Sequence, residues 1–268
     1  MNKKSVVKPS GIGGQAVLEG VMMKNKDRYA VAVRKPDGEI EVEEGTCKSL
    51  RDKYFICDLP IIRGVVTFVE SLVLGMKSLT DSSKYFEDEE DDAEEIDEDK
   101  KEKREKVETT FTVILSIILA VGIFMILPFF ISELLKKVVA SEKLLAVIEG
   151  VIRILLFIGY VFAISFVEDI KRVFMYHGAE HKTINCVEHM LPLTVENVKK
   201  QSREHKRCGT SFIFIVLFIS IIFFIFIRVD NMWLKILCRI LLVPVIAGVS
   251  YEFIRFAGKS ENSIVNAL

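Results

Sequence analysis

Two long stretches without any charged residue constrain the fold of this 268-residue chain more than any other feature. Residues 109–132 carry no charge over 24 positions, and residues 208–227 carry none over 20. As a helix, either stretch is long enough to cross about 30 Å of hydrocarbon. Residues 144–167 and 234–256 are also mostly apolar but contain isolated charges. The sequence therefore predicts a mainly α-helical integral membrane protein with a bundle of about four transmembrane helices.

The basic residues of the loops predict the orientation of these spans. The 168–210 loop holds eight Lys and Arg residues, against three in 133–143 and two in 228–235. We therefore expect a multi-pass protein of the inner (plasma) membrane with both termini and the 168–210 loop in the cytoplasm. The bilayer and its anionic headgroups are the expected partners. We also expect a homo-oligomer and no binding to nucleic acid. The chain has five cysteines, which is an odd number, and most of them are expected on the reducing, cytoplasmic side of the membrane. We therefore expect no disulfide framework.

The amino-terminal region has the pattern of a small β-rich module. Residues 29–34 and 39–43 alternate apolar and polar side chains and flank Pro36-Asp37-Gly38, which is a favourable hairpin turn. The glycines at 11–14 favour a tight turn over a phosphate-binding loop, since no Lys-Ser/Thr pair follows them. The predicted domains are a cytoplasmic β-rich module (1–60), an amphipathic interfacial or re-entrant helix (61–80), an acidic linker (81–108), a four-helix membrane domain (109–257) and a cytoplasmic tail (258–268).

All four histidines fall between residues 177 and 205. His177, Glu180 and His181 form an H-x-x-E-H pattern, which on a helix places all three side chains on one face. This spacing suits two imidazole ligands of one ion and a carboxylate that acts as general base on water. The pattern predicts a metal site with His177 and His181 as ligands and Glu180 as the catalytic residue.

The remaining ligands are open at the level of sequence. His205 and Cys208 form a natural second pair before the third span, and together with the two helical histidines they would close a structural zinc site. Glu188 lies about 10 Å beyond His181 along a continuous helix, so it becomes a ligand only if the helix breaks after Cys186. An open position would give a hydrolytic site instead. The expected cofactor is a divalent metal, zinc or alternatively iron, and the alternative without metal is that the histidines cap helices and contact headgroups.

The second predicted span carries Glu149 and Arg153, four residues apart and so on one helical face. Charges at that depth are costly unless they are paired or face the bundle interior. They predict either an internal ion pair that locks the helices together or part of a polar pocket or conduit.

Several motifs along the chain resemble those of the YqhQ-like bacterial membrane proteins, a family of unknown function. They are GGQAVLEGVMM at 13–23, EG at 149–150 with Arg153, DIKRVF at 169–174, HGAEHK at 177–182, LTVENV at 193–198 and HKRCGTSF at 205–212. The resemblance covers residues 11–258 and implies a multi-pass protein with a proposed dependence on metal and no established activity. It implies as site residues His177, Glu180, His181, Glu188, His205 and Cys208, with Gln15 and Glu19 in the amino-terminal motif.

Three functions are compatible with these patterns. The leading hypothesis is a metal-dependent membrane enzyme, a hydrolase acting on a lipid-linked or membrane-associated substrate. The first alternative is a channel or transporter that uses Glu149 and Arg153 along its path. The second is a membrane scaffold with a structural zinc ion.

Overall fold

The computed structural model contains a small antiparallel sheet followed by a series of helices. It describes residues 10–86, 98–205, 208–227, 229 and 231–257. The described chain forms two compact units. Of the described residues, the first unit comprises 10–86, 163–205, 208–215 and 244–257, and the second comprises 98–162, 216–227, 229 and 231–243.

The sheet in the first unit is a meander of four antiparallel strands in the order β1-β2-β3-β4. The strands are β1 (Gly13–Val17), β2 (Gly20–Asn25), β3 (Arg28–Arg34) and β4 (Ile40–Thr46). The predicted hairpin joins β3 to β4, and Gly38 in its turn has a φ of 88°, which a residue with a Cβ rarely adopts. The predicted β-rich module is therefore confirmed.

One face of the sheet is covered by a helix. Two short helical turns, α1 (Leu50–Lys53) and a 3₁₀ turn (Phe55–Asp58), lead into α2 (Ile62–Ser83), which is followed by a second 3₁₀ turn (Lys84–Phe86). Leu74 of α2 packs with the inward-facing side chains of the sheet, which are Val17, Met22, Val31 and Val33. Ser82 adds a polar tie, since its hydroxyl accepts a hydrogen bond from the backbone N–H of Leu18 at 3.2 Å.

Polar side chains of α2 contact other residues of the first unit. Arg63 forms a bidentate ion pair with Glu252, and Glu70 accepts hydrogen bonds from Ser49 and from the backbone N–H of Leu50. A Cβ on Gly64 would lie 2.9 Å from Cα of Gly248, so glycine allows these two helices to approach closely. The prediction that α2 is interfacial or re-entrant stays a prediction.

The predicted spans all form helices. The first consists of α3 (Glu98–Val121), a π-helical turn (Gly122–Ile126) and α4 (Leu127–Leu135), and it is followed by α5 (Glu142–Ile164), α8 (Gly209–Ile225) and α9 (Met232–Ala257). Within the described residues, three segments are long and apolar enough to cross a membrane: Val107–Leu135, Glu142–Ile164 and Met232–Ala257. The fourth, α8, has only 17 residues and would span about 25 Å.

The segment 81–108 was predicted as an acidic linker, but from Glu98 onward it is part of α3. The acidic run at 87–97 lies outside the described residues, as does the tail from 258. After α5, a turn at 165–167 precedes α6 (Glu168–Glu188), and a loop containing the short α7 (Val195–Lys199) leads toward α8. Helix α6 carries the H-x-x-E-H pattern.

Candidate functional site

The H-x-x-E-H residues lie together on α6, as the helical spacing predicts. Glu180 lies against Gly14 of the sheet, His181 contacts the loop that follows α7 at Arg203, and both side chains are buried. The ring centroids of the two histidines are 4.3 Å apart. The local sequence was thus sufficient to predict that these three side chains lie together.

His177 connects two groups that lie far apart in sequence. Its Nδ1 is 2.9 Å from Oε2 of Glu180, and its Nε2 is 3.3 Å from Sγ of Cys208. The same sulfur is 2.9 Å from Oγ1 of Thr210. Glu180 therefore orients the imidazole, and the second ring nitrogen faces the thiol.

His181 is held by the backbone of the loop before α8. Its Nδ1 is 2.6 Å from the carbonyl oxygen of Arg203, so Nδ1 donates and the ring lone pair is on Nε2. Asn185, one turn further along α6, donates to the carbonyls of Ser202 and Glu204, both at 2.9 Å. These contacts fix the loop against α6 and give His181 one defined tautomer.

His177, His181 and Cys208 form the His/Cys cluster. One potential ligand atom from each lies within 4.8 Å of those of the other two, and among the described residues this is the group with metal-binding geometry. In each histidine, Nδ1 is engaged by an oxygen acceptor, which is the arrangement that orients imidazole ligands in metalloproteins. Two imidazoles and a thiol are a donor set that zinc accepts.

The pKa values of the cluster are strongly perturbed. Hydrogen bonds with Cys208 and Glu180 raise the pKa of His177 to about 10. Burial alone would raise the pKa of Cys208, but hydrogen bonds from His177 and Thr210 outweigh it and lower the pKa to about 6. Cys208 is therefore a thiolate at neutral pH, which is the form that binds metals and attacks electrophiles.

Two predicted ligands lie outside the His/Cys cluster. Because α6 continues to Glu188, the condition for Glu188 to act as a ligand is not met. Its Oε2 is 3.2 Å from Nε2 of His205, and its Oε1 accepts hydrogen bonds from the backbone N–H and hydroxyl of Ser10. His205 is not one of the three residues of the His/Cys cluster, although its ring centroid is 5.8 Å from that of His181, so the closed shell that includes His205 stays a prediction. His189 is at the end of α6, where its Nδ1 contacts the carbonyl of Asn185.

The amino-terminal motif supports the site from outside. Glu19, in the β1–β2 turn, forms a bidentate ion pair with Arg172 of α6 and accepts a hydrogen bond from Tyr176. Gln15 packs against α2 at Gly75. The sequence assigned Gly14 to a tight turn, but it lies in β1, and a Cβ there would lie 2.6 Å from Oε1 of Glu180. The glycine lets β1 cover the buried carboxylate.

A second group of charges is buried in the second unit, and we call Glu149, Arg153 and Arg239 the arginine cluster. Oε1 of Glu149 accepts from Nη2 of Arg153 at 2.8 Å and from Nη1 of Arg239 at 2.5 Å. Arg153 also donates to the carbonyl of Phe124 and to Ser220. The predicted ion pair between Glu149 and Arg153 is present, and the fold adds a third member.

The fold and these clusters define a helical protein whose apolar helices are compatible with a membrane and which carries a small amino-terminal sheet. The chain belongs to the family described as "Protein of unknown function (DUF1385)", whose model matches residues 59–268. It is similar to "Uncharacterized protein YqhQ" of Bacillus subtilis (strain 168), with 36% identity over 262 residues. That match covers 97% of this chain and 82% of the relative. No solved structure matches the chain. The resemblance inferred from the motifs is confirmed.

Proposed function

We propose that this protein is a metal-dependent membrane enzyme, a hydrolase that acts on a lipid-linked or membrane-associated substrate. His177, His181 and Cys208 are its metal ligands, and zinc is the ion they suit best, with iron as the alternative. The observation that carries the proposal is the convergence of three ligand atoms within 4.8 Å, with both imidazoles held through Nδ1.

The chemistry of the donors fits a catalytic ion. These three residues would hold the ion, and the ion would supply Lewis-acid activation of water or of a substrate oxygen. The Cys208 thiolate balances part of its charge. Glu180 orients His177 through Nδ1 and lies beside the cluster, where its carboxylate is positioned to accept a proton.

Membrane insertion with a cytoplasmic His/Cys cluster supports a membrane-associated substrate. Three apolar helices of sufficient length and the excess of Lys and Arg in the 168–210 loop support this topology in an inner membrane. Anionic headgroups and further copies of the chain are the proposed partners.

Metal content per chain tests the proposal most directly. The full chain is purified without a metal-binding tag, and zinc and iron are measured by mass spectrometry. We expect near-stoichiometric metal in the parent and in His189→Ala, and its loss in His177→Ala/His181→Ala. His189 is a matched control because it directly follows the same helix but is not part of the His/Cys cluster. A parent without metal after incubation with zinc would contradict the proposal.

The catalytic role of Glu180 separates an enzyme from a scaffold with structural zinc. In lipid nanodiscs made from a bacterial lipid extract, we expect metal-dependent release of hydrolysis products, detected by mass spectrometry. Glu180→Gln should keep the fold and most of the metal but release no product. Metal-loaded parent that releases no more product than Glu180→Gln would contradict the catalytic role of Glu180, and no release by either protein would favour the scaffold with structural zinc.

A second candidate function rests on the contact of 3.3 Å between Cys208 and His177. Cys208, His177 and Glu180 have the order of nucleophile, base and orienting carboxylate found in cysteine hydrolases. This arrangement leaves the contact of His181 with Arg203 without a role, so we rank it second. Removal of metal with a chelator separates the two candidates, because it stops a metal enzyme and leaves a cysteine hydrolase active.

A further inference from the structure

The arginine cluster carries more positive than negative charge. Glu149 is the carboxylate shared by two guanidiniums, and all three side chains are at most 5% exposed. Phenylalanine rings fix the guanidiniums in place: Arg239 is 4.6 Å from the ring centroid of Phe129 and 4.9 Å from that of Phe224. Burial of an uncompensated charge is costly, so a cluster of this composition favours an additional anion.

Arg239 has an unused donor in this environment. Its Nη1 binds Glu149, but among the described residues its buried Nε has no hydrogen-bond partner. Buried N–H groups are almost always paired in folded proteins. An unpaired guanidinium N–H at 3% exposure therefore indicates a missing acceptor.

A cavity of about 310 Å³ adjoins this side chain. Glu149 and Arg239 are part of its wall, and each lies seven residues after the first residue of its helix, about 10 Å along the axis. Lysines and hydroxyl groups complete the polar lining, namely Lys136, Lys143, Lys235, Ser132 and Ser141. The size is that of a small-ligand site.

The lining keeps its positive character when its acidic residues are included. It contains four cationic and three anionic side chains, and Arg153 adds a further cation behind Glu149. Glu133 contacts Lys136 at 2.6 Å and Lys235 at 3.7 Å, so one carboxylate is shared by two lysines, as Glu149 is by two arginines. Lysine and arginine donors around a small polar cavity are the groups that recognise phosphate.

We propose that this cavity is a phosphate-binding site, with Arg239 as its buried anchor and Lys136, Lys143 and Lys235 along its wall. The ligand is an inorganic phosphate or the phosphate of a phospholipid headgroup, which share this chemistry. The site is independent of the proposed metal centre and uses none of its residues.

The test measures phosphate and lipid binding to the full chain in two arms. In an uncharged detergent and phosphate-free buffer, inorganic phosphate is titrated by calorimetry. In nanodiscs of phosphatidylcholine with or without phosphatidic acid, bound lipid is identified by mass spectrometry after extraction of the protein. Binding in the first arm alone identifies the free ion, and enrichment of phosphatidic acid alone identifies the headgroup.

Variants assign the binding to this cavity. We expect Lys143→Ala and Lys235→Ala each to weaken binding by roughly tenfold, since each removes a charged donor. Arg239→Gln should abolish it. Lys137→Ala is the matched control, because this neighbouring lysine is exposed and does not line the cavity. Lys143 and Lys137 are both exposed, so their alanine variants are expected to fold and still test the proposal if Arg239→Gln does not fold.

Absence of binding in both arms would overturn the proposal. So would equal affinities of the parent, Lys143→Ala and Lys235→Ala, because the bound anion would then be elsewhere.

Discussion

The His/Cys cluster and the arginine cluster are both buried groups of ionisable side chains, but they offer opposite chemistry to a ligand. The His/Cys cluster presents the Cys208 thiolate and the Nε2 lone pair of His181, and His177 adds a third lone pair only when it gives up the proton that it shares with Cys208. The Glu180 carboxylate and the Arg203 carbonyl contact the Nδ1 atoms of the two histidines. The arginine cluster presents N–H donors, with one carboxylate for two guanidiniums. The first arrangement favours a cation and the second an anion.

The difference between the two clusters shows that burial and clustering alone do not identify a ligand. What decides is the balance of donors and acceptors left over after the side chains have satisfied each other. In the His/Cys cluster that balance leaves Nε2 of His181 and the sulfur of Cys208, and in the arginine cluster it leaves Nε of Arg239.

The largest effect is expected from removing the acceptor of the arginine cluster. Glu149→Gln leaves two buried guanidiniums without a carboxylate, and we expect a loss of stability of about 3–5 kcal/mol. Thermal unfolding of the full chain in detergent measures it. Glu133→Gln removes a partly exposed carboxylate that also contacts two cations, and its effect should be far smaller. Similar losses in both variants would contradict the unequal roles of the two carboxylates.

The next effect concerns the donor state of the His/Cys cluster. In metal-free protein, Cys208 has a pKa of about 6, so alkylation by iodoacetamide should already be fast near neutral pH. His177→Ala removes the main hydrogen bond that favours the thiolate, so the pKa should rise and the alkylation profile should move to higher pH. Peptide mass spectrometry follows this site, and Cys208→Ser identifies its signal. An unchanged profile in His177→Ala would refute the contact.

A smaller effect should follow from crowding Glu180 without touching a ligand. The Cβ in Gly14→Ala would displace the carboxylate that orients His177, and we expect zinc affinity to fall by about 10–100-fold. Gly13→Ala is the control, since a Cβ there meets nothing within 4 Å. Competition with a fluorescent zinc chelator measures both. Equal affinities would show that Glu180 does not support the metal site through this contact.

The smallest effect is expected at the contact between the β1–β2 turn and α6. The hydrogen bond from Arg172 lowers the pKa of Glu19 below its ordinary value of 4.5. A depressed pKa adds stability above pH 4.5 that is lost as pH falls through the lower, folded-state value. Arg172→Ala should therefore flatten the loss of stability in acid, whereas Lys171→Ala, the adjacent exposed lysine, should not. Unfolding curves between neutral and acidic pH measure this, and parallel curves for all three proteins would contradict it.

Local patterns predicted a large part of the fold and the local contacts within the two candidate clusters. The Pro36-Asp37-Gly38 turn predicted the β3–β4 hairpin, and the spacing of His177, Glu180 and His181 predicted their shared face on α6. The contact between Glu149 and Arg153 followed from a separation of four residues. In each case the interaction is within one or two turns of chain, so the geometry of the helix or hairpin is sufficient to predict it.

The assignment of partners across long separations could not be predicted in the same way. Cys208 and His205 are three residues apart, and the sequence predicted both as ligands. In the structure Cys208 joins His177, whereas His205 contacts Glu188. Helical periodicity cannot predict how these residues are oriented relative to α6, because a loop with its own short helix lies between them. Only the packing of that loop decides that the sulfur of Cys208 contacts His177, whereas the ring of His205 lies 5.8 Å from that of His181 with its Nε2 on Glu188.

The sequence by itself determined the apolar helices, the β-rich module and the types of donor present, because periodicity and composition act over short stretches of chain. Only the tertiary structure decided that Arg239 shares Glu149 with Arg153 over a separation of 90 residues, and that Gly14 lies under Glu180. These contacts depend on the relative positions of distant elements, which are set by packing and by the need to satisfy buried charge. That need leaves lone pairs in one cluster and N–H donors in the other.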